Sequence, residues 1–304
     1  MKTPLPPLTR RAFLAAAASS LALRPSESEA AAEKIIDIHQ HTNYSGRTDE
    51  QMIAHQRKMG ITKTILLPAG SKYGLAAGAG GNDTVVAVAR RLPKEYVYFA
   101  NELPDIPETR SVIEKYLKMH ALGIGEQKFH VDCDSPPMQL IAEIAQQFHV
   151  PVLMHFQHDT YNLHIERFHT MLEKYPKVNF IAHAQTFWAN IDKNCDQVTM
   201  YPKGKVTPGG ISDRLLSDYP NFYGDLSAGS GLNALQRDED HARGFLERHQ
   251  DKLIYGSDCS DPYGEGEKCS GSQQIATIRR LVPDRKIREK LFYRNAMRVI
   301  KVKL

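Results

Sequence analysis

From residue 34 onward the chain repeats one pattern: an amphipathic stretch, a proline or polar turn, then a short apolar run rich in β-branched and aromatic residues. Arg90-Arg91-Leu92-Pro93 leads into Tyr96-Val97-Tyr98-Phe99-Ala100, and Phe148-His149-Val150-Pro151 leads into Val152-Leu153-Met154-His155. Lys174-Tyr175-Pro176 and Asp218-Tyr219-Pro220 introduce similar runs. Short apolar runs alternating with helical stretches predict parallel βαβ units. The pattern places strands at 35–39, 63–68, 96–101, 125–130, 151–155, 178–183, 221–225 and 253–258. Helices are expected at 48–59, 82–91, 109–119, 138–148, 165–175, 210–217, 240–249, 272–281 and 284–299. Eight such units predict an α/β fold of the (β/α)8 TIM-like barrel type. The rival is a doubly wound open sheet, but no Gly-x-Gly-x-x-Gly follows the first strand, which weakens a dinucleotide-binding reading.

Polar residues gather at one end of these strands: His39 and His41, Glu126 with Lys128 and His130, His155, His183, Asp225 and Asp258. The strand starts carry no comparable set. In a parallel barrel the C-terminal rim is where catalytic groups from several strands meet. Strand periodicity puts Asp37, His39 and His41 on one face and Ile36 and Ile38 on the other. It likewise puts Glu126, Lys128 and His130 on one face of the fourth strand. Two imidazoles at one strand end and a carboxylate at another make a metal site the expectation. Gly74–Gly81 lacks the Lys-Ser/Thr of a phosphate loop and is expected to be an active-site loop.

The first thirty residues follow another logic. Thr9-Arg10-Arg11-Ala12-Phe13-Leu14 precedes an Ala-rich apolar run to Leu23, followed by small residues around Ala30. This pattern predicts a twin-arginine signal peptide over 1–30, export to the periplasm or beyond by the twin-arginine machinery, and a barrel domain over 31–304. The apolar run from Ala12 to Leu23 is too short for a membrane anchor. The 39 Lys+Arg stand against 35 Asp+Glu, a balance that gives no footprint for nucleic acid. Nothing in the pattern opposes a homo-oligomer. The cysteines are Cys133, Cys195, Cys259 and Cys269, with no Cys-x-x-Cys, and the pairing of Cys259 with Cys269 is left open.

The chain resembles the amidohydrolase superfamily, in its amidohydrolase-related (amidohydrolase 2) branch. Asp37-x-His39-x-His41, Pro151-Val152-Leu153-Met154-His155, Ile181-Ala182-His183, Asn221-Phe222-Tyr223-Gly224-Asp225, Tyr255-Gly256-Ser257-Asp258 and Arg294-Asn295-Ala296-x-Arg298 carry the resemblance, in family order. It implies a metal-bearing barrel in which His39, His41, His155 and Asp258 bind a divalent cation. Zn²⁺ is the first expectation, with Mn²⁺ or Fe²⁺ as alternatives. Asp258 would also accept the proton of the attacking water, and His183 would polarise the substrate or steer the water. Family members with two metals bridge them from the fourth strand, which makes Glu126 a further candidate ligand. One ion is favoured over two.

The expected activity is hydrolysis of a C–N or C–O bond in a small molecule, an amide, ester or lactone, by metal-activated water. Lys128 is expected to bind a substrate anion and Arg47 a substrate carboxylate. His158 and Trp188 are expected to line the pocket, and Asp225 to orient His183 or the substrate. The alternatives are non-oxidative decarboxylation of an aromatic or unsaturated acid, which this branch also contains, and an exported ligand-binding protein with an inactive barrel.

Overall fold

A computed structural model describes Met1 and residues 33–70 and 78–304. The expected signal peptide, but for Met1, and residues 74–77 of the Gly74–Gly81 stretch lie outside these described residues. Lys34–Leu304 form one compact unit. Its strands are β1 (Ile36–Gln40), β2 (Lys63–Leu66), β3 (Tyr96–Tyr98), β4 (Ile124–Gln127), β5 (Val152–His155), β6 (Phe180–His183), β7 (Phe222–Asp225) and β8 (Leu253–Ile254). All neighbouring strands pair in parallel, in the orders β1-β2-β3 and β4-β5-β6-β7-β8. Backbone bonds join the two sheets at both seams. Ala100 N–H donates to Gly123 and Gly125 N–H to Ala100 on one side, each at 2.9 Å. On the other, Ile38 N–H donates to Tyr255 at 3.2 Å and Asp258 N–H to His39 at 2.8 Å. The strands therefore run around a barrel in sequence order.

The connections carry α1 (Asp49–Lys58), α2 (Asn82–Arg91), α3 (Thr109–Lys118), α4 (Pro136–Phe148), α5 (His169–Lys174), α6 (Gln185–Ala189), α7 (Ile211–Asp218), α8 (Ala228–Gln236), α9 (Glu239–Arg248) and α10 (Ser270–Leu281). Thr48 opens α1 with a capping box, its hydroxyl accepting from Gln51 N–H while the Gln51 side chain accepts from Thr48 N–H. Beyond the sequence expectation stand α6 and α8. The α8 segment, Ala-Gly-Ser-Gly-Leu-Asn-Ala-Leu-Gln, is rich in weak helix formers, and it is helical because Leu232, Ala234 and Leu235 are buried against the barrel. The C-terminal helix expected at 284–299 is α11 (Arg285–Glu289) and α12 (Asn295–Val299), separated by a π-helical turn at Lys290–Arg294.

The barrel interior is filled by Ile36, Ile38, Ile65, Leu67, Phe99, Leu153, Ile181, Tyr223 and Ile254, closed from below by Val299, Ile300 and Val302. Here the structure corrects the strict period-two reading of β1. Ile36 and Ile38 face inward, and the ladder to β2 shifts register between Asp37 and Gln40. This irregularity turns His39 and His41 onto the inner side as well. Asp37 is left outside, where it accepts from Gln56 Nε2 at 2.8 Å, Ser257 N–H at 2.8 Å and Ser257 Oγ at 2.5 Å. Asp37 is thus the bolt between β1, α1 and the β8 loop, and not part of the imidazole face.

Candidate metal centre

Four strand ends converge above the interior layer. Neither His39 nor His41 offers its Nδ1 to the centre. His39 Nδ1 lies 2.6 Å from Asp225 Oδ2, and His41 Nδ1 lies 2.8 Å from the Leu67 carbonyl. A carbonyl or carboxylate only accepts, so in the neutral rings both Nδ1 atoms carry the proton and both Nε2 atoms carry a lone pair. Those two Nε2 atoms are 3.2 Å apart. Glu126 Oε2 approaches them at 3.6 and 3.5 Å, and Asp258 Oδ1 at 3.8 and 3.5 Å. Donor atoms about 2.1 Å from a tetrahedral ion lie about 3.4 Å from one another. The spacings of His39, His41 and Asp258 from one another, and of Glu126 from the two imidazoles, are close to those of a coordination shell.

The hydrogen-bond accounting agrees. Glu126 Oε2 and Asp258 Oδ1 are buried and have no hydrogen-bond partner among the described residues. Buried carboxylate oxygens without donors are costly. Two of them beside two imidazole lone pairs make this a candidate site for a divalent cation. The donor set, two imidazoles and two carboxylates, neutralises such an ion and suits Zn²⁺ or a similar metal.

The electrostatics are those of an anionic hole. Burial pushes Glu126 upward, but Lys128, His155 and His39 outweigh it and hold its carboxyl well below the usual range. Asp258 behaves alike: burial pushes it up, but the neighbouring His39, His183 and His41 imidazoles overcome this and hold it well below the usual range. Burial pulls His39 down, yet Asp258, Glu126 and Asp225 drive it well above the ordinary imidazole value. For His155, burial dominates and lowers it to about 4, so its ring is neutral. Lys128 is half-buried; burial lowers it, while Glu126 and Asp258 raise it further, so it stays an ammonium facing the site.

The structure brings together His39, His41, Asp258 and Glu126, with His183 beside them. His183 Nε2 stands 3.4 Å from Asp258 Oδ2, and its Nδ1 meets Ser227 Oγ at 2.8 Å. His155, expected among the ligands of the same ion, is placed one step away: its Nδ1 is hydrogen-bonded to Glu126 Oε1 at 2.6 Å and its Nε2 faces Gln157 Oε1 at 3.1 Å. Glu126 therefore presents one oxygen to the His39/His41/Asp258 group and the other to His155 and His183, a second cluster of potential ligands. Asp225 orients His39 instead of His183, from whose Nδ1 it is 3.7 Å distant. Gly256 permits this: a Cβ there would sit 2.4 Å from Asp225 Oδ1 and 3.0 Å from His39 Cβ.

Two expected substrate contacts are corrected. Arg47 is buried, donating from Nη1 to the Cys259 and Asp261 carbonyls at 2.7 and 2.9 Å and from Nη2 to Gln40 Oε1 at 2.5 Å. Its fork braces the loop after β8 against β1. Trp188 is a core anchor packed on Phe187 and Phe245, with Nε1–H donating to the Asp225 carbonyl at 3.0 Å. His158 lines a cavity of about 220 Å³ with Gln157, Asn162 and Thr186, next to the His155 edge of the site. His130, expected on the face of Glu126, is exposed and turned to the Thr160 carbonyl. Sequence reasoning missed Tyr44, half-buried against His41 with ring centroids 4.9 Å apart and hydrogen-bonded to Asp258. Asp258 raises the Tyr44 phenol far above its ordinary value, so it remains a donor. It also missed Ser227, whose hydroxyl donates to Asp225 at 2.9 Å. Both sit in irregular loops where no periodicity marks a face.

The amidohydrolase family model matches residues 36–302. No curated protein sequence matches the chain significantly. Among solved structures, an uncharacterized TIM-barrel protein from Bordetella bronchiseptica aligns with a TM-score of 0.66 at 14% identity, over 88% of this chain and 98% of that one. A probable 2-pyrone-4,6-dicarboxylic acid hydrolase from Acinetobacter baumannii aligns at 0.61 and 13% identity, over 88% and 99%. A 2,6-dihydroxybenzoate decarboxylase from Rhizobium aligns at 0.56 and 13% identity, over 88% and 99%. At such identities these likenesses speak for the fold alone. With the family model covering nearly the whole barrel, the chain belongs to the amidohydrolase family of enzymes.

Proposed function

We propose that this enzyme is a hydrolase that cleaves an amide, ester or lactone bond in a small molecule carrying a carboxylate, using one Zn²⁺ or similar divalent ion held by His39, His41, Glu126 and Asp258. The observation that carries the reading is the division of Asp258. Its Oδ1 is an unpartnered member of the cation shell, while its Oδ2 lies 3.4 Å from His183 Nε2. A cation bound there supplies Lewis acidity and lowers the pKa of water. Asp258 then accepts the proton of the attacking water and returns it to the leaving group, with His183 steadying the carboxylate. Water oxygen joins the carbonyl carbon, and the C–N or C–O bond breaks.

One ion is favoured over two because the Glu126 Oε1–His155 Nδ1 contact at 2.6 Å satisfies both atoms without a metal. Lys128 faces Glu126 and Asp258 from the rim, and its ammonium suits a substrate carboxylate. Tyr44 offers a hydroxyl on the other side of Asp258. Proteins of similar fold include the probable 2-pyrone-4,6-dicarboxylic acid hydrolase and the 2,6-dihydroxybenzoate decarboxylase, so an acid substrate fits both chemistries. The Arg10-Arg11 leader supports a workplace outside the cytoplasm.

Turnover in ¹⁸O-labelled water tests the reading, after a screen of lactones, amides and aromatic acids finds a substrate. Hydrolysis places the label in the product acid. Release of CO₂ with solvent hydrogen on carbon and no label retained would assign the chain to the decarboxylases. Asp258→Asn should keep much of the bound metal and lose turnover by at least about 10²-fold.

A further inference from the structure

On the far side of the Asp258 loop lies a second group of metal-binding side chains. His55 on α1, Cys259 directly after Asp258, and Cys269 at the N-cap of α10 are all buried, with one donor atom from each within 4.8 Å of the others. The Cys259 and Cys269 sulfurs are 3.7 Å apart, and His55 Nε2 lies 3.4 Å from Cys269 Sγ. The Met59 thioether, one turn along α1, is 3.7 Å from Cys269 Sγ. Two thiolates about 2.3 Å from a tetrahedral zinc lie about 3.8 Å apart, which is the spacing found.

A hydrogen-bonded core histidine does not explain His55. The ring is wholly buried; its Nδ1 has no partner among the described residues, and the ring otherwise meets the two sulfurs, Cys269 Sγ lying 3.4 Å from Nε2. Backbone approach at the site is close: a Cβ on Gly271 would sit 2.9 Å from Met59 Sδ and 2.8 Å from Ser257 Cβ. The first turn of α10 is thereby seated against α1 and the β8 loop.

We propose that His55, Cys259 and Cys269 form a structural site for a thiolate-binding divalent ion, Zn²⁺, with Met59 closing the fourth side. Each thiol releases its proton to solvent and forms a metal–sulfur bond. The two thiolate charges and the 2+ ion cancel, which a buried site requires, whereas a monovalent ion would leave net charge in the core. The ion ties α1, the loop after β8 and α10 together beside Asp258, so it fixes the backbone that carries the catalytic carboxylate. It differs in kind from the centre at His39 and His41, which contains no sulfur, and it stands independently of the proposed reaction.

Cobalt substitution tests the site without a substrate. The full chain, purified without oxygen and stripped of metal, is titrated with Co²⁺. Sulfur-to-cobalt charge-transfer bands in the near ultraviolet report thiolate ligation only. We expect these bands in the wild type, undiminished in His39→Ala, and abolished in Cys269→Ser. They should be weakened and shifted in His55→Gln, where two sulfurs remain. Each variant is checked for folding by circular dichroism, and a Cys259→Ala/Cys269→Ala chain, which lacks both thiols of the site, serves as the second control. Wild-type protein that folds, binds Co²⁺ and shows no charge-transfer band would overturn the proposal. So would a mass lower by two hydrogens, reporting a Cys259–Cys269 disulfide in protein never exposed to oxidant.

Discussion

Asp225 Oδ2 sits 2.6 Å from His39 Nδ1, and this contact decides what His39 can do. It fixes the tautomer whose Nε2 lone pair points at the cation shell and raises the basicity of that nitrogen. Ser227 completes the arrangement by donating its hydroxyl to the same carboxylate oxygen.

Asp225→Asn should therefore weaken cation binding by roughly 10–100-fold without removing a ligand. Competition with a chromogenic chelator measures this. An unchanged affinity would mean that Asp225 does not orient His39.

Glu126 and His155 should separate in the same assay. Glu126→Gln removes a carboxylate ligand and leaves protein purified with well under one equivalent of metal. His155→Ala removes only the partner of Glu126 Oε1, so the metal is retained at reduced affinity, again within about 100-fold. Two equivalents in the wild type, falling to one in His155→Ala, would show instead that the His155/His183 cluster holds an ion of its own.

Arg47 and Trp188 are structural, and their replacements should register as lost stability. Arg47→Gln leaves the Cys259 and Asp261 carbonyls without their buried donor and should cost about 1.5–3 kcal/mol. Trp188→Ala should cost about 3–5 kcal/mol through the cavity it leaves. Urea denaturation checks both. A variant of either residue with wild-type stability but a specific rise in KM would return that residue to the substrate pocket.

Asp213 gives a pH signature far from the metal. Burial pushes its carboxyl up, but hydrogen bonds from His249 at 2.7 Å and Arg248 at 3.0 Å, and from Gly209 N–H, hold it well below the usual carboxylate value. A depressed folded-state pKa means its stabilisation is complete above the unfolded value of about 3.9 and is lost as pH falls through the folded one. The stability difference between wild type and Asp213→Asn should be largest near neutrality and shrink below about pH 4. Urea midpoints across that range measure it, and a difference independent of pH would contradict the assignment.

The barrel was legible because its strands are short apolar runs following Pro and polar turns, a signal that survives without tertiary information. The clustering of His39, His41 and Asp258 was legible because each lies at or shortly after the C-terminal end of a strand, and parallel strands of a barrel end on the same rim. What escaped depends on local departures from periodicity. The register shift in β1 moves Asp37 off the imidazole face, which no count of residues reveals. Glu126 was read as a secondary candidate and His155 as a ligand; strand position alone does not say that Glu126 lies between the His39/His41/Asp258 group and His155, with which it shares a 2.6 Å contact. Arg47 and Trp188 were read as pocket residues from their place in loops, whereas their hydrogen bonds turn them to the backbone of the β8 loop and of Asp225. Tyr44 reaches Asp258 through a 3₁₀ turn, Tyr44–Gly46, preceded by Asn43 in the left-handed region, a geometry without a sequence period.

The central claim is the position of the cation, and anomalous scattering reads it directly. Crystals of the full chain loaded with Zn²⁺, with data collected on both sides of the zinc edge, should show a peak within bonding distance of His39 Nε2, His41 Nε2, Glu126 Oε2 and Asp258 Oδ1. That peak should vanish in His39→Ala crystals grown in the same way. Absence of density at that point in metal-loaded wild-type crystals, or a lone ion held by His155 and His183 with Asp258 outside its shell, would contradict the account.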